Sequence, residues 1–131
     1  MNILSKRILI TVSLSLTILL SQDCLAFWMK VTETMDVSVY ADTGTIVRIG
    51  RNKRMDVLYD LRASDSSGQR SIRSFAEFDC DNNREKSINA VGYSERMGTG
   101  KVVRTMDYPS EWIPTQSNKN EQQLLYFVCA W

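Results

Sequence analysis

Side chains that can do chemistry are scarce in this chain, and the scarcity is informative. None of its 131 residues is histidine. A Ser-His-Asp relay, a Cys-His pair and an imidazole-ligated metal are therefore excluded. Carboxylates remain. Asp79, Asp81 and Asn83 form an Asp-x-Asp-x-Asn string like the start of a calcium loop. An EF-hand loop needs Gly at its sixth position and Glu at its twelfth. Arg84 and Ala90 hold those places, so the string reads as a turn. Asp56 and Asp60 could suggest the paired acids of glycoside hydrolysis. Arg54 and Arg62 lie beside them in sequence and point instead to a salt-bridged sheet surface. No glycine-rich phosphate loop or nucleophile elbow is present. No catalytic residue, metal site or cofactor is expected.

Binding groups are the alternative. Lys+Arg number 16 and Asp+Glu 15, giving a net charge of +1. A general nucleic-acid binder carries a basic excess, so nucleic acid is not the expected partner. Arg48, Arg51, Lys53 and Arg54 form the densest positive segment. They span a turn and could meet an acidic partner together. Solubility and protection of a sheet edge explain them at least as well. Of the three tryptophans, Trp28 and Trp112 are expected to fill the core, and the role of Trp131 is open.

The cysteines depend on the N-terminus. Lys6 and Arg7 precede the charge-free run Ile8–Leu20. Its length suits the h-region of a signal peptide and falls short of the ~20 residues of a membrane-spanning helix. Ala26 is a small residue at the −1 position, so cleavage is expected between Ala26 and Phe27. Gln22 and Asp23 before Cys24 do not make a convincing lipoprotein signal. Removal of residues 1–26 takes away Lys6, Arg7, Asp23 and Cys24, leaving 14 basic and 14 acidic residues and one cysteine pair, Cys80 and Cys129. An even pair in an exported chain reads as a disulfide. It would close a loop of roughly 50 residues, which a chain-entropy account rates at about 4 kcal/mol.

One domain is expected over residues 27–131, mainly β, its strands marked by period-two alternation. The runs are 28–32, 37–40, 45–49, 54–62, 70–80, 84–94 and 101–106. Asp42-Thr43-Gly44 and Asp81-Asn82-Asn83 are turn triplets. In Arg54–Arg62, Met55, Val57, Tyr59 and Leu61 share an apolar face. Tyr108–Pro114, with two prolines, reads as an ordered loop that tucks Trp112 into the core edge. Asn118 with Glu121 resembles a capping box, and Leu124, Leu125 and Val128 follow at helical spacing. The expected architecture is an antiparallel sheet with a short C-terminal helix stapled across it by the cysteines.

In this order, the elements resemble the surface-adhesin protein E family of Gram-negative bacteria. The resemblance rests on Trp28, Val39-Tyr40-Ala41-Asp42, Ile46, Arg48, the strand Val57–Arg62, Ser74, Glu77–Cys80, Arg84, Tyr93, Gly100, Pro109-Ser110, Trp112 and the late Cys129. It implies about six antiparallel strands, one short helix and a Cys80–Cys129 bridge. It also implies a non-enzymatic envelope protein, an adhesin for host extracellular matrix or serum proteins on the cell surface; the lack of a convincing lipoprotein signal leaves a periplasmic or released protein as the other location. The alternative is a soluble periplasmic inhibitor or immunity-type protein that binds another enzyme. After processing no transmembrane segment is expected, and an open sheet edge leaves a homodimer available.

Overall fold

A computed structural model describes residues 27–131. The expected signal segment, with Ala26 and Cys24, lies outside the described residues; Phe27 begins them and is exposed. Seven strands form one antiparallel sheet: β1 (Trp28–Glu33), β2 (Val37–Ile49), β3 (Asn52–Leu61), β4 (Ser71–Asp79), β5 (Arg84–Tyr93), β6 (Val102–Met106) and β7 (Ile113–Pro114). β1 to β6 lie side by side in chain order, and β7 pairs with the start of β5 beyond the end of β6. Among the described residues one α-helix, α1 (Lys119–Ala130), follows the strands.

Two expectations are corrected. Asp42-Thr43-Gly44 does not reverse the chain; 37–40 and 45–49 are parts of one strand, β2. Asp42 does make the short-range bonds of a turn residue, accepting from the Gly44 amide at 3.0 Å, while Thr45 Oγ1 donates to the Asp42 carbonyl at 2.7 Å. Thr45 Oγ1 in turn accepts from the Asp56 amide of β3. The local turn therefore becomes a bulge: pairing slips from Asp42↔Asp56 to Val47↔Arg54 and the strand continues beyond it. Second, Ile113–Pro114 joins the sheet, opposite Glu85 and Arg84. Pro114 is tolerated there because β7 is an outer strand, where a missing donor breaks no ladder.

Alternation gives the sheet two faces. Met55, Val57 and Tyr59 of β3 face α1 together with Val39 and Ala41 of β2 and Ala76 and Phe78 of β4. Leu124, Leu125 and Val128 of α1 complete this core. The helix starts as expected, with Asn118 Oδ1 accepting from the Asn120 amide at 3.0 Å and the Glu121 amide at 3.5 Å. It ends on the Cys80–Cys129 disulfide, Cα atoms 5.9 Å apart. Lys53 Nζ donates to the carbonyls of Val128 and Cys129 at 3.1 and 3.4 Å, a cation where the helix dipole is negative.

Glu121 does more than the capping motif requires. Its carboxylate accepts from the Tyr59 hydroxyl at 3.1 Å and faces Glu85 of β5 beneath the helix. Burial and the neighbouring Glu121 push Glu85 up to about 9, and its Oε2 has no hydrogen-bond partner. The folded protein thus keeps a proton that an unfolded Glu85 releases near 4.5. This contribution to stability is full below that value and is lost as pH rises through about 9.

Leu124→Ala, which empties the centre of the helix contact, is expected to cost about 2–5 kcal/mol in urea unfolding. Glu85→Gln is expected to flatten the alkaline decline: its urea midpoint should change less than that of the native protein between about pH 6 and pH 9.5.

Candidate binding face

With α1 on one side, the opposite face of the sheet carries the remaining polar chemistry. Arg54, Asp56, Leu58 and Asp60 of β3 alternate away from the helix, as do Ser71, Arg73, Phe75, Glu77 and Asp79 of β4. Cross-strand register brings opposite charges together. Arg54 Nε donates to Glu77 at 2.8 Å, an Arg73 terminal nitrogen to Asp56 at 2.9 Å, and Arg84 Nε to Asp79 at 2.9 Å. Arg96, from the loop between β5 and β6, donates to Asp60 through Nε at 3.0 Å and a terminal nitrogen at 2.6 Å. The carboxylates are the inner partners. Asp60, Glu77, Asp79 and Asp56 expose 0, 7, 8 and 16% of their side chains, against 32–53% for the four arginines.

These contacts hold Asp60, Glu77 and Asp79 ionised. Burial pushes Asp60 up, but the bonds from Arg96 and the Met97 amide outweigh it and leave the carboxyl below its ordinary value. Burial likewise opposes Asn52 and Arg54 at Glu77, and loses. At Asp79 the Asn82 side chain is the main cause of a lowered value, with Arg84 adding to it. Groups with lowered values stabilise the fold above their unfolded titration range and lose that contribution as pH falls through the folded value. Asp60, Glu77 and Asp79 are therefore not poised to donate a proton at neutral pH, the state a glycosidase general acid requires.

Two structures wall the face. At one end the loop after β5 folds back over it. Met97 adopts a left-handed φ of 54°, a conformation that costs a non-glycine residue energy. Three contacts hold it there: the Met97 amide donates to Asp60 Oδ1, the Gly98 amide to Ser71 Oγ, and Ser71 Oγ to the Glu95 carbonyl. Leu58, fully buried, lies under Gly98. At the other end Trp112 stacks on Arg84 at 4.7 Å and Lys86 at 4.6 Å. Trp28 borders the face from β1, with the Arg73 guanidinium 5.8 Å from its ring. Neither tryptophan belongs to the core that Trp28 and Trp112 were expected to fill; both are half-buried partners of cations. Between the walls lies an open hollow of about 380 Å³ lined by Asp56, Arg73, Phe75, Asn89, Val91 and Tyr93.

The basic segment 48–54 is distributed by the hairpin. Arg51 pairs with Asp81 at 2.7 Å, Lys53 caps the helix, Arg54 joins the face described above, and Arg48 is exposed on β2. Asp79 and Asp81 are thus engaged by arginines from two different hairpins. Arg73, Arg84 and Arg96 are the residues that sequence reasoning passed over. Their signal was present as alternating charge on two strands, but only register shows which acid meets which base.

A family model for surface-adhesin protein E matches residues 28–130. The chain belongs to the surface-adhesin protein E family. Solved structures of Haemophilus influenzae protein E share its fold. One crystal form aligns at a TM-score of 0.63 and 14% identity, over 82% of this chain and 91% of that one. Another gives 0.62 and 14%, over 82% and 87%. A structure from a non-typeable strain gives 0.56 and 15%, over 83% and 79%. No curated protein matches.

Asp60→Asn, which leaves Arg96 without a charged partner, is expected to lower stability by about 1–3 kcal/mol. The Met97 and Gly98 amides should exchange faster in the same variant, as seen by hydrogen–deuterium exchange.

Proposed function

We propose that this chain is an exported, non-enzymatic binding protein of the bacterial envelope that attaches cells to host extracellular proteins through the helix-free face of its sheet. The carrying observation is the division of labour between the two faces. One is closed by a stapled helix. The other is a half-buried surface of aromatic rings and charge pairs, held by strand register and walled by a pinned loop, with an open hollow at its centre. A surface fixed in advance loses little entropy on docking. Membership of an adhesin family supports the role, and export fits a precursor whose first 26 residues read as a cleaved signal. In this reading Arg54 is the one member of the basic segment that contributes directly to the binding face, with Arg51 at its border.

Mass determination of the envelope-associated protein is expected to show a chain beginning at Phe27, and biotinylation of intact cells is expected to label it. A product that keeps residues 1–26 contradicts the export reading. Labelling only after the outer membrane is opened contradicts adhesion.

A further inference from the structure

We infer that the helix-free face recognises an acidic segment of a protein partner, one carrying an aliphatic or aromatic side chain among its carboxylates. The inference rests on the proposed binding role of this face and adds the chemistry of what it binds.

The chain without residues 1–26 has equal numbers of acids and bases, so its overall field favours no partner. On this face, however, the charges are stratified. The strand carboxylates Asp60, Glu77 and Asp79 are buried, and Asp56 half-buried, beneath the more exposed arginines that pair with them. Lys86 adds a further cation beside Trp112. A guanidinium has five N–H donors in a planar fork. Arg54, Arg73 and Arg84 each give one to the carboxylate beneath them, and Arg96 gives two. Donors are left over on side chains that are already oriented. Acceptor anions are the complement of such a surface, and a carboxylate matches the fork geometry.

The hollow selects among anions. Phe75, Val91 and Tyr93 line it beside Asp56, Arg73 and Asn89, which suits one apolar side chain seated among polar contacts. A polypeptide offers carboxylates and apolar side chains together, whereas a sulfated glycan has no comparable group for the hollow. Along β3 the pairs run from Arg54 to Asp60, with Asp79 and Arg84 beyond Arg54. At strand spacing that is roughly 25 Å, the reach of about eight extended residues.

The test uses the chain from Phe27 and a fluorescent peptide of about eight residues alternating Glu with Leu and Trp. The companion probes are the same peptide with every Glu replaced by Gln, and heparin. Anisotropy is expected to show binding of the acidic peptide that weakens as salt is raised, with about tenfold weaker binding of the Gln peptide. The paired variant D56N/R73Q removes one guanidinium without stranding its acid and is expected to weaken the acidic peptide by about tenfold. R48Q, off the face, should leave it unchanged, and thermal melts establish that both variants fold. Equal binding of the Glu and Gln peptides, or binding of heparin alone, overturns the inference. Attachment of cells to a coated extracellular-matrix extract, measured with the same variants, separates the two claims. If D56N/R73Q abolishes attachment but the acidic peptide does not bind, the face is the binding surface and the acidic partner is wrong. If attachment is unaffected while the peptide loses affinity, the peptide chemistry stands and the adhesive role of the face falls.

Discussion

The contact between α1 and one face of the sheet sets everything else. A single sheet exposes two faces to water, and a chain this short has apolar side chains enough to close only one. Leu124, Leu125 and Val128 cover Met55, Val57 and Phe78, and the Cys80–Cys129 bridge ties the end of the helix to the end of β4. Twelve helical residues are marginal in isolation. Packing, the sulfur link and the Lys53 bonds to the last carbonyls together make the helix a stable layer.

The uncovered face then has to be stable without a second layer. It manages this by placing carboxylates low and arginine side chains over them, so that the aliphatic stems and guanidinium planes shield the strands. The two half-buried tryptophans extend that shield through cation–π stacking. The same arrangement leaves a structured, donor-rich surface. Beneath the helix the pKa of the half-buried Glu85 is instead raised by desolvation and by the neighbouring Glu121.

Much of the architecture was legible in the residues. Period-two alternation located β3 and β4 to within a residue or two, because their apolar side chains recur on the helix-covered face, and β5 followed as the return strand after the Asp81-Asn82-Asn83 turn. Asn118 marked the helix start, and the cysteine count pointed to the bridge that ties the helix down. The Asp42-Thr43-Gly44 triplet misled for a physical reason: its local bonds are those of a turn, and only the Thr45 contact to the Asp56 amide across the sheet makes it a bulge. The face itself was hidden for a related reason. Arg73 and Asp56 are 17 positions apart, and Arg96 and Asp60 are 36 apart. Their pairing depends on register and on a folded-back loop, which no linear pattern records. Trp28 and Trp112 resemble core residues by type, and only their neighbours reveal them as cation partners.

Hydrogen–deuterium exchange of the oxidised and reduced protein tests the helix clamp most directly. Slow exchange is expected along α1 and β3 while the sulfurs are joined. After reduction, α1 amides should lose protection by at least an order of magnitude more than those of β3 and β4. Equal protection of α1 before and after reduction, or fast exchange along it in the oxidised chain, would show that the helix is not held as a layer and that the sheet has no closed side.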